Sequence, residues 1–380
     1  MAATDSYAGG AGRLSPPSTP SATRAVLEAH GIGTKYTLGQ NFLVNDDVLK
    51  KIIALAEVGE NDRVLEVGPG IGTLTIALLK HAASVIAIER DPDLPAVLAD
   101  TLHPWREKFA LIEKDALDVT RDDIVAAMVE IGGDTGYPDR ASSAANETAQ
   151  WAVSQSEDCL SESGYPVAPP QEDLQLSLPS KLVANLPYAV AATVVLDYFE
   201  SFPFLDSATI MVQKEVADRM VAAVGTKNYG AYTVKLGLYA EPAGRFAVGP
   251  GNFFPPPRVD SAVIRLNRRV PLMADGAPAS PEVIAAAALM ADAAFTNRRK
   301  TIANSCKTYF SGRGPILLGV ADSSAAEGAP TIALPDGAAT AERLPAIFEA
   351  AAIDPRRRGE TLTQQEFLAL GAALLRVTAA

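Results

Sequence analysis

Two apolar rhythms alternate along the first two-thirds of the chain. "DDVLKKIIALAEV" (46–58) sets Val48, Leu49, Ile52, Ile53 and Leu55 at helical spacing, and "TRAVLEAHGI" (23–32) before it predicts a shorter helix. "DRVLEVG" (62–68) is instead a short continuous apolar run, as expected of a strand buried on both faces. "IGTLTIALLKHA" (71–82) follows as a helix that opens on glycines. "SVIAIE" (84–89) is a second strand and "DPDLPAVLADTL" (91–102) a helix whose first turn tolerates proline. "FALIEKDAL" (109–117) is a third strand and "KLVANLPY" (181–188) a fourth. "ATIMVQKEVADRMVAAV" (208–224) is a fifth strand running into a helix. Strands alternating with helices imply an α/β fold with a mostly parallel sheet covered on both faces.

Three stretches break that rhythm. Residues 1–22 are rich in small residues, Ser and Pro, lack the apolar run of a signal peptide, and are expected to be a disordered tail. Residues 130–179 are polar and acidic, punctuated by Gly, Ser and Pro, and read as an insertion in a first domain of residues 23–270. Residues 311–340 read as a second insertion. From about 271, after "RRVPLM", the apolar spacing turns helical in four segments. They are "SPEVIAAAALMADAAF", "RRKTIANSCKTYF", "AERLPAIFEAAAI" and "TQQEFLALGAALL", and they predict a smaller all-α domain over 271–380.

Charge changes the picture because of where it lies. The net charge of −12 argues against a nucleic-acid partner until it is mapped. Residues 121–179 hold eleven acids and only two bases, a balance of −9 that leaves −3 for all the rest; residues 180–270 carry +3. The acidic segment is therefore expected to project away from any face that binds nucleic acid. Cys159 and Cys306 form no C-x-x-C pair and predict idle thiols in a cytoplasmic protein. His30, His81 and His103 share no ligand spacing, so no metal site is expected. No run is long and apolar enough for a membrane span.

Candidate chemistry sits at the strand ends. Gly68, Gly70 and Gly72 in "LEVGPGIGTL" let the backbone pass close to a ligand, with Glu66 the last acid on the strand. Glu89, about twenty residues on, is placed to accept hydrogen bonds from a ribose diol, and Asp115 after the third strand to accept from an adenine amino group. A nicotinamide dinucleotide would fit glycines and a downstream acid equally well. "NLPY" (185–188) at the fourth strand end points elsewhere. Adenine N6 is a poor nucleophile because its lone pair is delocalised into the ring. The amide oxygen of Asn185 and the backbone carbonyl of Leu186 or Pro187 can accept its two N–H bonds and localise that pair. Pro187 stiffens the turn, and Tyr188 offers a face for a base to stack on. The electrophile that suits such a site is the methyl of a sulfonium, whose transfer needs little beyond alignment and electrostatic help.

These motifs, taken together, resemble those of the ribosomal RNA adenine dimethyltransferase family, the small-subunit dimethyladenosine transferases. "TLGQNFL" (37–43), "EVGPGIGTLT" (66–75), "IERD" (88–91), "KDAL" (114–117), "NLPY", "MVQKEVADRM" (211–220), "FFPPPRVDSAVIRL" (253–266), "FTNRRKTIANS" (295–305) and "IDPRRRGETLT" (353–363) match its blocks in order. The resemblance spans about 34–375, apart from the two insertions. It implies a Rossmann-like class I methyltransferase sheet with a smaller C-terminal all-α domain, and S-adenosylmethionine as cofactor. Gln40, Asn41 and Leu43 would then close over the cofactor. Gly68 would follow its methionine moiety, with Gly70 also binding the cofactor, Glu89 on the ribose, Asp115 on the adenine, and Asn185 facing both cofactor and target base. The family flips its target adenosine out of the stack; Tyr188 and Phe253 are the candidate clamp, with Asn185, Leu186 and Pro187 completing the catalytic set. The implied product is two adjacent N6,N6-dimethyladenosines in the 3′-terminal hairpin of 16S ribosomal RNA, made on the small ribosomal subunit during its biogenesis.

In the helical domain, Arg298, Arg299 and Lys300 are expected to open a helix, with Lys307 further along it and Arg356, Arg357 and Arg358 near the next. Their place within family blocks makes them candidate RNA-binding residues that read phosphates and A-form shape. A monomer is expected. Two alternatives stay open: a large-subunit adenine methyltransferase of the macrolide-resistance type, and an assembly factor that acts chiefly by binding immature small subunits.

Overall fold

A computed structural model describes residues 13–32, 41–132, 178–319 and 331–379. Eleven strands are present among them: β1 (Phe42–Leu43), β2 (Arg63–Val67), β3 (Ser84–Ile88), β4 (Phe109–Ile112), β5 (Lys181–Asn185), β6 (Ser207–Gln213), β7 (Ala240–Val248), β8 (Phe253–Phe254), β9 (Ser261–Arg268), β10 (Pro315–Gly319) and β11 (Thr331–Asp336). The helices of the first domain are α1 (Pro20–Ala29), α2 (Asp46–Ala56), α3 (Thr73–Leu79), α4 (Leu94–Thr101), α5 (Arg121–Gly132), α6 (Ala191–Ser201), α7 (Lys214–Met220) and α8 (Ala231–Gly237). Those of the second are α9 (Pro281–Phe295), α10 (Ile302–Ser311), α11 (Gly337–Ala350) and α12 (Gln364–Ala379).

Seven strands form the main sheet in the order β4-β3-β2-β5-β6-β9-β7. The five expected strands are its parallel part. Along each, successive side chains go to opposite faces. Val64, Val85, Val183 and Met211 pack with Leu49, Ile52 and Leu78 of α2 and α3. Leu65, Ile86, Leu182 and Ile210 pack with Ile124 of α5 and Val194 of α6. A fully buried side chain of this size stabilises by about 1.5–3 kcal/mol, so both faces must be covered at once.

Strands β7 and β9 add an antiparallel edge absent from the sequence-based pattern. In β9, "SAVIRL" has the composition of a buried strand, and its pairing with β6 runs the full length from Ser261 against Gln213 to Asn267 against Ser207. Strand β7 hides itself because it carries Pro242 and Gly244, which argue against a strand. It lies at the sheet edge with a register shift between those two residues, where proline costs no ladder hydrogen bond.

The expected N-terminal tail is corrected over residues 13–22. Asp46, opening α2, accepts from Leu14 N at 2.8 Å, Ser15 N at 3.2 Å and Ser18 Oγ at 3.3 Å, so three bonds hold this segment against the domain. Thr19 then caps α1 by accepting from Ala22 N. Residues 1–12 and most of the acidic insertion, 133–177, lie outside the described residues.

The C-terminal region is helical, with one correction. Residues 315–319 and 331–336 of the expected insertion form an antiparallel hairpin whose Leu318 and Leu334 join the helical core. Helix α11 begins at Gly337, inside the same expected insertion. Alanine-rich α9 packs closely against α12. A Cβ on Gly371 would stand 2.6 Å from Ala287 N, so only glycine permits this approach. Arg268 fastens the end of β9 by donating to the carbonyls of Phe199, Phe202 and Leu205. Arg269 next to it reaches Gln364 of α12 at 3.2 Å and so links the sheet to the helical region. Among the described residues no helix is long and apolar enough to cross a membrane.

Candidate active site

Strand order reverses at β2. The chain runs outward through β3 and β4, then returns to β5 on the other side of β2. Ligands of open α/β sheets bind in the crevice beyond the carboxyl ends of the strands at such a switch point. A cavity of about 340 Å³ lies there, with Gly68 after β2, Glu89 after β3, Asp115 after β4 and Asn185 ending β5 all on its wall. Gly70, Asn41, Leu43, Leu186, Pro187 and Tyr188 line it as well. Gln40 lies outside the described residues.

The loop after β2 needs its glycines for conformation as well as space. Gly70 has φ +60°, and a Cβ there would sit 3.2 Å from the Phe42 ring, so a side chain would be both strained and crowded. Beneath it, Glu66 is buried to 1% exposure, and its Oε2 has no hydrogen-bond partner among the described residues. Burial pushes its carboxyl up to about 8; the nearby charge of Glu89 adds to the rise, and the Thr75 hydroxyl opposes it. An orphaned buried acceptor at the floor of a cavity calls for a donor from whatever fills that cavity.

Glu89 is held in place by the chain itself. Its Oε1 accepts from the amides of Arg90 and Asp91 at 2.9 Å each. Burial raises its pKa, hydrogen bonds from Asp91, Arg90 and Gly70 oppose this, and the Asp91 charge adds to the rise. Asp115 takes Leu117 N at 3.1 Å and Arg90 at 2.8 Å; the Leu117 amide and then Arg90 hold its pKa below the usual carboxylate range. Asp115 thus caps a short helical turn and faces the cavity at once. Arg90 was not a sequence candidate. Its position after the strand-ending acid is visible in "IERD", but only the fold brings it to Asp115.

Asn185 carries the most informative bond of the site. Its Nδ2 donates to Asn41 O at 3.2 Å. A carbonyl can only accept, so the amide nitrogen must face Asn41, and Oδ1 remains as an acceptor. Leu186 sends its N–H to Met211 O at 3.1 Å, while its own carbonyl accepts nothing among the described residues. Pro187 is different: its carbonyl already accepts from Val190 N and Ala191 N, which starts α6. Of the two carbonyls open in the sequence, that of Leu186 is the one left for a ligand. Tyr188, half-buried, shares a 2.8 Å hydrogen bond with Ser261 Oγ from β9, which fixes its ring at the wall. Nothing in the spacing of residues 188 and 261 foretells that contact. Burial pushes the Tyr188 hydroxyl pKa up, and the Ser261 bond partly offsets the push.

Phe253 is corrected. It is 3% exposed, pairs with Leu43 in the β1–β8 ribbon, and packs with Leu49, Leu74 and Val263 rather than lining the cavity. The pleat sends neighbouring side chains to opposite sides, so half-buried Phe254 faces the other way, opposite Phe42.

The basic residues of the second domain divide in two. Arg298 is corrected from a candidate RNA contact to an internal staple: it bonds Glu360 at 2.9 Å, Tyr229 O at 2.7 Å and Thr226 O at 2.9 Å. Arg357 is corrected likewise, for it pairs with Glu366 and donates to Thr361 O at 2.6 Å. Arg299, Lys300 and Lys307 are exposed; Arg356 and Arg358 are exposed with ion pairs to Asp354 and Glu360. Arg298, Arg299 and Lys300 sit in the turn before α10 rather than opening it, because Thr301 is the cap, accepting from Asn304 N. Cys306 is free and buried, with its thiol pushed up to about 12 by burial.

A family model described as Ribosomal RNA adenine dimethylase matches residues 33–329. A protein of Geobacillus sp. (strain WCH70) named Ribosomal RNA small subunit methyltransferase A is 32% identical over 359 residues, 94% of this chain and 98% of its own length. One of the same name from Staphylococcus aureus (strain Newman) is 32% identical over 353 residues, 93% of each chain. The crystal structure of a dimethyladenosine transferase from Plasmodium falciparum shares the fold, with a TM-score of 0.53 over 87% of this chain and 95% of that one, at 20% identity. A match that continuous, with the cavity at the switch point and "NLPY" on its wall, settles the family: the chain belongs to the ribosomal RNA adenine dimethylases.

Proposed function

We propose that the cavity binds S-adenosylmethionine and one flipped adenosine, and that the enzyme dimethylates N6 of two adjacent adenosines in the 3′-terminal hairpin of 16S ribosomal RNA. The observation that carries this reading is the pair of acceptors at the end of β5, Asn185 Oδ1 and Leu186 O, which accept no hydrogen bond among the described residues. Two acceptors match the two N–H groups of an adenine amine. Once the first methyl is in place, a single N–H remains for one acceptor, so the same pair serves both transfers.

The cavity fits the cofactor on its own chemistry. Glu66 Oε2 offers a buried, unpartnered carboxyl oxygen to a hydrogen-bonding group, and Gly70 keeps the backbone clear of Phe42. Gly68 would follow the methionine chain, Glu89 would take the ribose hydroxyls, and Asp115 would lie by the adenine. When bound, S-adenosylmethionine supplies an electrophilic methyl on a positively charged sulfur. The protein supplies alignment: Asn185 and Leu186 draw the N6 protons into hydrogen bonds, and Tyr188, anchored by Ser261, backs the base.

The small ribosomal subunit is the proposed substrate particle, met by a single copy of the chain. Arg299, Lys300, Lys307, Arg356 and Arg358 are the exposed cations for its RNA. The test is methyl incorporation from labelled cofactor into unmethylated small subunits, mapped by reverse-transcription stops, with large subunits as control. Stops at two adjacent adenosines near the 3′ end of 16S RNA support the reading. Label confined to large-subunit RNA, or none in either, would overturn it.

A further inference from the structure

We propose that Arg24 of α1 is an RNA-binding residue at the rim of the active site, holding a backbone phosphate close to the flipped adenosine. The inference rests on the reading of the cavity given above.

Its first support is placement. Val26 and Leu27 pack against Phe42, Ile71, Leu94 and Val97. Phe42 and Leu94 also line the cavity, so α1 is the outer layer of that wall. Arg24 lies on the exposed face of the same helix, with its guanidinium carbon 5.2 Å from the centre of the Phe254 ring. Phe254 stands opposite Phe42 in the β1–β8 ribbon. Beyond Phe254 the chain runs through exposed Arg258 to Ser261, the residue that holds Tyr188. Arg24 is thus set over the strand that connects the cavity wall to the aromatic side of the site.

The second support is its state of charge. Three other cations of this neighbourhood are neutralised: Arg90 by Asp115, Lys50 by Asp46 and Asp47, Lys114 by Asp123. Among the described residues no carboxylate pairs with Arg24, and Glu28, one turn on, does not reach it. Contact with the Phe254 ring is compatible with hydrogen bonding by the guanidinium N–H groups to a further ligand. A planar, exposed fork without an acid partner is suited to bidentate capture of a phosphate. Aromatic stacking alone explains the packing but not the unpaired charge.

Rigidity is the third support. Asp46 ties the segment before α1 with three hydrogen bonds, and His30 at its other end lies 3.3 Å from Asp100. A side chain presented on a helix fixed at both ends loses less entropy on binding than one on a loose arm.

The test measures the Kd of the full chain for unmethylated small subunits as a function of salt, together with its Kd for S-adenosylmethionine, for Arg24→Gln and Arg24→Lys. Gln removes the charge and keeps a polar amide on a shorter stem; Lys keeps the charge and loses the fork. Arg24→Gln is expected to weaken subunit binding about 10-fold. It should also lower the slope of log K against log salt by about 0.7–0.9 and leave the cofactor Kd and the melting temperature unchanged. Arg24→Lys should restore the slope and recover only part of the affinity. A wild-type slope and affinity in Arg24→Gln would overturn the proposal. So would a weakened cofactor Kd with subunit binding intact, which would reduce Arg24 to wall packing. Failure of the function itself looks different: a wild-type chain that binds cofactor yet methylates no small-subunit RNA, which removes the ground of this inference too.

Discussion

The side-chain amide of Asn185 donates to the backbone carbonyl of Asn41, 144 residues away in sequence, across 3.2 Å. The bond decides which end of the amide meets a substrate. It also couples the segment before β1 to the strand end proposed to hold the target base.

Asn185→Ala should lower single-turnover methyl transfer by about 10²–10³-fold, the usual cost of removing one preorganised polar group from a transition state. Calorimetric affinity for S-adenosylmethionine should change far less. Asn185→Asp, nearly isosteric, sets a carboxylate oxygen against Asn41 O and should also be slow. Transfer by either variant near the wild-type rate would remove the polarising role.

Gly70→Ala tests the cradle. The backbone at φ +60° costs an alanine about 1–2 kcal/mol, and its Cβ would press the Phe42 ring at 3.2 Å. Cofactor affinity is expected to fall roughly 10-fold or more, measured by titration calorimetry. Unchanged affinity would mean that the loop does not approach the ligand.

Arg298 and Arg299 are neighbours with opposite expected behaviour. Arg298→Ala leaves Tyr229 O without this partner and removes the bonds to Thr226 O and Glu360, and should destabilise the helical region by about 2 kcal/mol or more, seen as a drop in melting temperature. Arg299→Ala should leave melting unchanged and weaken subunit binding, with a shallower salt dependence. The reverse pattern would exchange the two roles.

Glu66 makes stability depend on pH. Its folded-state pKa of about 8 lies above the ordinary 4.5, so the folded protein binds more protons than the unfolded chain between those values. Stability from this group is therefore fully present below about pH 4.5 and is lost as pH rises toward 8. Glu66→Gln, neutral throughout, should lack this slope. At pH 8 it should be the more stable protein without ligand, by something on the order of a few kcal/mol. Parallel denaturation curves from pH 5 to 8 would mean that the carboxyl is already ionised.

The sequence by itself determined the parallel sheet, because a strand buried on both faces must be a continuous apolar run and helices must show their 3.6-residue period. It also located the candidate site: glycines, acids and "NLPY" fall at strand ends, and the strand ends of such a sheet share one edge. Local spacing carries no sign of what a side chain meets across the fold, and there tertiary structure decided. Phe253 and Phe254 are chemically alike, yet the pleat buries the first and sends the second toward Arg24. Arg298 and Arg299 read as one cluster, but only Arg298 finds two carbonyls and an acid within 3 Å. Pro187 and Leu186 offered equal carbonyls until the start of α6 engaged the first. The proline and glycine of β7 spoke against a strand that an edge position could accept. In each case the outcome turned on a partner distant in sequence, because hydrogen-bond valence and burial are satisfied in space rather than along the chain.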